Sequence, residues 1–375
     1  MSKKQQFNYV TYGSKVNSEH ISQFLNYMLD ANVLNPTSKD RPTPICIWGM
    51  HGIGKTELVQ AIAEDKNCAF TYIAPAQFEE MGDLIGMPKV VESTDNELIT
   101  QLIPPEWVPK KAGPGIFLID DVNRADDRIL RGIMQLLQNY ELVSWKFPKG
   151  WQIILTANPD GGDYSVTTMD DAILTRMMHV TMEFDAKSWA KWAESAGIDD
   201  RGINFVLTYP EIVSGRRTTP RSLVQFFKAL KPLKSLKENL EMVKLLADGC
   251  LDPETTLSFI AFINMDLEKL ILPEEILNAT DFKIVETKIK NLVDGQTRRM
   301  DILSVIMTRL TNYLLIGKTD LTEKQFTQLK NFILLPLIPN DLRLAMAQEI
   351  VKSPRKALKK LYAVPEIAKL LLTKM

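Results

Sequence analysis

Gly49, Met50, His51, Gly52, Ile53, Gly54, Lys55 and Thr56 fit the pattern G-x-x-x-x-G-K-[ST]. The spacing suits a phosphate tail, which carries several negative charges and needs many donors at short range. Gly49, Gly52 and Gly54 carry no Cβ, so the backbone can curl and aim its N–H groups inward. Lys55 adds a point charge for the outer phosphates, and the Thr56 hydroxyl is the expected Mg2+ ligand. With Glu57, which opens the next helix, this run is the expected nucleotide-binding segment. Its flanks agree. Pro44–Trp48 is a short apolar run read as a buried strand, and residues 57–63 have helical spacing. The helix N-terminus would face the phosphate.

A second constellation lies in Gly115–Ile116–Phe117–Leu118–Ile119–Asp120–Asp121, an apolar strand ending in two acids. Asp120 is expected to hold the Mg2+ shell, through water. Asp121 sits where a base must orient an attacking water. Alone, the pair reads equally well as an acidic cap for the helix starting near Asp126. A P-loop about 65 residues upstream favours the catalytic reading. Asn158 ends a third apolar run, Trp151–Pro159, at the edge where open parallel sheets bind ligands. It is placed to touch the outermost phosphate or the water. A turn-forming Asn-Pro is the plain alternative.

The elements that must position these groups follow from periodicity. A helix is expected near 18–31, then a loop through Asn35–Ser38 and Pro42, with strands at 69–73 and 178–184 and a helix around 126–139. Residues 74–114 look less regular, and a segment of that length between strands should be functional or mobile. Residues 141–150 alternate, with a turn signal at Pro148–Lys149–Gly150, and read as a small hairpin. Strands alternating with helices predict a parallel α/β sheet with both faces covered. From about 186 the pattern turns helical, interrupted at 215–222 and broken near Pro253, Pro273 and Pro336–Pro339.

The chain has 375 residues, enough for two or three domains. Apolar content of 45% and charged content of 24% are ordinary for a soluble protein. A net charge of −1 gives no basic field for nucleic acid, although a local basic patch remains compatible with it. Three cysteines without a C-x-x-C argue against a zinc site or disulfide framework and suit a reducing compartment. The polar start and the lack of any apolar run near 18 residues predict no signal peptide and no membrane insertion. The expectation is a cytoplasmic protein.

Together the motifs resemble AAA+ ATPases, and within them the MoxR-like branch, over roughly residues 40–230. Asp120–Asp121–Val122–Asn123–Arg124–Ala125 is similar to that branch's Asp-Glu-Ile-Asn-Arg-Ala, and Asp83–Leu84–Ile85–Gly86 and the hairpin before Asn158 also look like it. Asn158 falls on sensor 1. Arg176 lies where the family carries an arginine finger, and Arg221, in Thr-Pro-Arg-Ser, resembles the sensor 2 arginine.

The resemblance implies an α/β fold: a parallel-sheet P-loop AAA+ core, then an α-helical lid and a helical C-terminal domain. The expected divisions are 1–40 (N-terminal helical segment), 41–185 (nucleotide-binding core), 186–272 (lid) and 273–375 (C-terminal domain). It implies a homo-hexameric ring with ATP and Mg2+ between subunits. Lys55, Thr56, Asp120, Asp121, Asn158 and Arg221 would act in their own subunit and Arg176 in the neighbour's site. The resemblance also implies a protein partner bearing a von Willebrand factor A domain, in a chaperone-like role. Two departures stand out. Asp121 replaces the family's Glu and is one methylene shorter, which predicts slow hydrolysis or action through a repositioned water. Met177 and Met178 stand where Phe is expected. Two other readings are a nucleic-acid translocase or helicase loader, with Lys146 and Lys149 lining a pore, and a nucleotide-switched assembly scaffold with rare turnover.

Overall fold

The computed structural model describes residues 10–33, 41–92, 94–95, 97–159, 166–214, 217–265, 267, 270–294, 299–317, 320–352 and 356–372. The loop expected at Asn35–Ser38, and Gly215–Arg216 of the later break, lie outside them. The chain divides into two compact units, Met1–Phe184 and Asp185–Met375.

The first unit is built on six parallel strands: β1 (Ser14–Val16), β2 (Ile45–Trp48), β3 (Ala69–Ile73), β6 (Gly115–Ile119), β9 (Trp151–Ala157) and β10 (Met178–Met182). Their order across the sheet is β1-β10-β2-β9-β6-β3, and every pairing is parallel. Strand side chains alternate between faces, so the near-continuous apolar runs serve two cores. Ile45, Ile47, Ile116, Leu118 and Ile154 meet Ile21, Leu25 and Leu29 of α1 (Ser18–Val33) and Val59 and Ile62 of α2 (Lys55–Asp65). Cys46, Trp48, Phe117, Ile119, Ile153 and Leu155 meet Ile129, Ile133, Leu136 and Leu137 of α4 (Asp127–Asn139). Each such Ile or Leu, fully withdrawn from water, contributes about 1.5–3 kcal/mol.

Three local features differ from expectation. β1 is too short and polar to show a strand period; its pairing with β10 is supplied by the neighbour strand. The irregular stretch 74–114 contains a short helix, α3 (Met81–Ile85), and an antiparallel ribbon, β4 (Met87–Glu92) with β5 (Leu98–Ile103). Pro88 obscured the strand, but a two-stranded ribbon has free edges where a missing N–H costs nothing. The small hairpin forms as β7 (Glu141–Leu142) and β8 (Trp145–Lys146), yet it turns at Val143–Ser144. Pro148–Gly150 instead leads into β9, with Gly113 N donating to Lys149 O and Gly115 N to Gly150 O.

The second unit is helical: α6 (Ala186–Ser195), α7 (Asp200–Thr208), α8 (Pro220–Leu230), α9 (Leu240–Cys250), α10 (Pro253–Asn264), α11 (Pro273–Leu277), α12 (Phe282–Val293), α13 (Met300–Ile316), α14 (Glu323–Ile333), α15 (Asn340–Lys352) and α16 (Pro365–Leu372). Pro220, Pro253 and Pro273 each occupy a first helical position, where a missing N–H is harmless. Helix α13 packs against α6, α7 and α15. It carries the buried Arg309, whose Nε donates to Glu194 at 2.6 Å and whose Nη1 donates to Asn204 Oδ1 at 2.6 Å; Nη2 binds the Asp200 carboxylate. Burial pushes Glu194 up to about 7 even though Arg309 pulls it down.

Replacing Arg309 by Met strands Glu194, and should cost roughly 3–5 kcal/mol of stability at neutral pH. Glu194 is held above its ordinary value in the fold, so its stabilising contribution is present at low pH and is lost as pH rises toward 7. Without Arg309 that loss should grow. Denaturant titrations should therefore show a larger deficit for Arg309→Met at pH 8 than at pH 5.

Candidate nucleotide site

Strand order brings the chemistry together. β9 lies between β2 and β6, so their carboxyl ends deliver Gly49, Asn158 and Asp120 to one edge. This is the crevice in which open parallel sheets take ligands. The loop after β2 curls through Gly52 at φ 69° and Gly54 at φ 99°, conformations that favour glycine. Gly54 caps α2, and Lys55 is its first residue. The positive end of the helix dipole is thus at the loop.

The Lys55 ammonium donates to Gly49 O at 2.7 Å, Met50 O at 3.1 Å and Asn158 Oδ1 at 3.3 Å. Burial pulls its pKa down to about 8, against the carboxylates of Asp121 and Asp120. A phosphate would supply the counter-charge that backbone carbonyls only approximate. Thr56 Oγ1 donates to Asp120 Oδ1 at 2.6 Å. A hydroxyl and a carboxylate in contact, beside a phosphate loop, form a hard-oxygen pair that fits Mg2+, which takes few protein ligands and completes its shell with water and phosphate oxygens. Thr56 and Asp120 would hold it.

Asp121 adopts φ 47°, left-handed for a residue with a side chain. Three bonds fix it there. Its N–H donates to Thr156 Oγ1 at 2.8 Å, Asn158 Nδ2 donates to Oδ1 at 2.9 Å, and Arg124 Nε lies 3.2 Å from Oδ2. Lys55, Thr56, Asp120, Asp121 and Asn158 are therefore one connected network. Met50, His51 and Ile53 lie in the loop between Gly49 and Lys55, and Glu57 in the first turn of α2.

Four participants had no assigned role in the sequence reading. Thr156 is fully buried and also donates to Asp120 Oδ1 at 2.6 Å, so one hydroxyl joins both acids. Asn123 clasps the Asn158 backbone reciprocally, at 2.8 Å to its O and 3.0 Å from its N. Tyr72 OH donates to Asp120 Oδ2 at 3.2 Å. Arg124 is the fourth. Thr156 and Tyr72 were legible only as strand residues; their positions at strand ends beside the two acids were the available signal.

Arg176 stands apart from this network. It follows α5 (Asp171–Leu174) and bonds Gln138 and Ala172 O. Met177 is buried in the core, while Met178 is half-exposed. His179 accepts from Trp48 Nε1 at 3.0 Å and donates Nε2–H to Leu174 O at 2.8 Å, tying the strand before the P-loop to α5. Arg221 belongs to the second unit, exposed in the first turn of α8 behind the Thr219–Ser222 capping box.

Thr156→Val keeps the shape but leaves the Asp121 N–H and an Asp120 oxygen short of partners. It should lower stability by about 1–3 kcal/mol, read as a drop in the denaturation midpoint.

Residues 44–177 match the family model described as AAA domain (dynein-related subfamily). The ATP-dependent zinc metalloprotease FtsH of Kosmotoga olearia is 29% identical over 105 residues, covering 28% of this chain and 14% of that protein. Among solved structures, a point mutant of Thermotoga maritima RuvB aligns over 84% of this chain and 96% of its own at 18% identity, with a TM-score of 0.39. The T. maritima RuvB Holliday junction branch migration motor aligns over 84% and 95% at 16% identity, with a TM-score of 0.38. With the loop, the paired acids and the strand order above, residues 44–177 are similar to an AAA domain.

Proposed function

We propose that this chain binds ATP with Mg2+ and hydrolyses it at an interface between copies in a ring, as a MoxR-like motor that remodels or matures a protein partner. The observation that carries the reading is the single network linking Lys55, Asn158 and Asp121 beside the Thr56–Asp120 pair. Lys55 and the loop N–H groups hold the phosphates. Bound Mg2+ would neutralise charge between them. Asp121 orients a water for in-line attack and Asn158 fixes its direction. Arg176 reaches the terminal phosphate in a neighbouring copy, placing charge where it develops in the transition state. Arg221 is the proposed contribution of the helical unit to its own subunit's nucleotide, and that unit carries the motion onward. A hexamer and a partner with a von Willebrand factor A domain remain parts of this proposal that rest on the resemblance.

The exposed Lys146 and Lys149 keep a second reading, a motor on nucleic acid. It predicts hydrolysis stimulated by DNA and strongly salt-dependent binding.

The test is hydrolysis per subunit across protein concentrations, with and without DNA. A site completed by a neighbour predicts specific activity that rises and saturates as rings form, unchanged by DNA. ATP bound without turnover at any concentration would instead favour a switched scaffold. Lys55→Ala should weaken ATP binding by about ten- to a hundredfold; intact binding would overturn the P-loop assignment. If the short carboxylate limits the reaction, Asp121→Glu should speed turnover; an unchanged rate would remove that explanation.

A further inference from the structure

Arg176 is held in an unusual way for a surface-facing arginine. Its Nε and Nη2 both donate to one atom, Gln138 Oε1, at 3.3 and 3.0 Å, and its Nη1 donates to Ala172 O. All of these acceptors are neutral. Among the described residues no carboxylate pairs with Arg176, whereas three arginines at and before the start of α4 and in its first turns meet one: Arg124 with Asp121, Arg128 with Asp126 and Arg131 with Asp127. Gln138 is exposed near the carboxyl end of α4 and Arg176 is partly buried.

A carbonyl oxygen can orient a guanidinium through its N–H fork, but it leaves the charge whole. A carboxylate at the same place would form a salt bridge that an incoming phosphate must break. We propose that Gln138 is the positioning residue for Arg176: its amide oxygen aims the guanidinium without neutralising it, reserving the charge for a phosphate bound by a neighbouring copy. The inference rests on the reading of Arg176 as a group acting in trans. The geometry leaves it room to act, because two N–H groups of the guanidinium are not used by Gln138 or Ala172.

The experiment mixes two full-length variants. Arg176→Ala subunits keep a nucleotide site but offer no finger, and Asp121→Asn subunits keep the finger but lack the water-orienting acid. Activity in the mixture, absent from either alone, reports Arg176 reaching across. Gln138→Glu is then added to the Asp121→Asn subunit, and Gln138→Met in a parallel preparation. Gln138→Glu should lower mixed activity by about ten- to a hundredfold, the weight of a charge-assisted hydrogen bond. Gln138→Met removes the aim but not the charge, and should lose less. The same changes placed in the Arg176→Ala subunit should produce no comparable fall, an asymmetry that a merely structural role would not give. Thermal melts of each variant guard against misfolding. Mixed activity that is unaffected by both substitutions in the donating subunit overturns the role of Gln138 alone. A mixture with no activity, from variants that fold and bind ATP, overturns the trans reading of Arg176 and the inference with it.

Discussion

The pairing of β9 between β2 and β6 is the constraint on which the site depends. Parallel strands in register bring their carboxyl ends to one level, so the residues that leave the sheet there meet without long side chains or long loops. Ile45 pairs with Ile154 and Ile119 with Leu155. That register sets Thr156 and Asn158 beside Asp120 and Asp121, and Asn158 within reach of Lys55. A side chain as short as that of Thr can then join two acids from an adjacent strand. The apolar faces that hold the strands in place are those that α1, α2 and α4 cover, so the core is what fixes distances in the polar network.

Much of this was legible in the sequence because the signals are local. The P-loop states its own backbone demands through three glycines, and β2, β6 and β9 are continuous apolar runs because both faces are buried. What was not legible depends on pairing across space. β1 carries three residues and no period, and becomes a strand through β10. The β4–β5 ribbon is exposed on both faces, with Val90 and Leu98 among its most open side chains, so no alternation marks it. Composition points to a turn at Pro148–Gly150, but Tyr140, in the left-handed conformation at the end of α4, starts the reversal early. Leu142 and Trp145 can then be buried. Thr156, Tyr72 and Gln138 are ordinary residues at ordinary strand and helix positions, and only their neighbours give them chemistry.

Arg124 and Arg176 differ in the kind of partner they meet. Arg124 meets a carboxylate in its own site, so its charge is spent locally in fixing Asp121. Arg176 meets carbonyls and keeps its charge. The same side chain is thus a brace in one setting and an available cation in the other, and the difference lies wholly in whether the acceptor carries a charge.

An Asp at position 121 suits its backbone conformation. The left-handed region is tolerated best by residues whose short polar side chains bond locally, Asp among them. At φ 47° the Asp121 carboxylate sits between Asn158 and Arg124, with both oxygens engaged. For it to receive a water in the proposed reaction, one of those contacts must loosen. Asn158 is the natural hinge of that change, because its amide oxygen accepts from Lys55 while its amide nitrogen donates to Asp121. In the proposed reaction, a phosphate that drew Lys55 away would remove one of the two bonds fixing the Asn158 amide and so loosen the group that restrains the acid. The clasp of Asn123 on the Asn158 backbone confines the response to the side chain. In the proposed reaction the acid would be held back until the loop is filled, and the Asn158 and Arg124 contacts are what would restrain it.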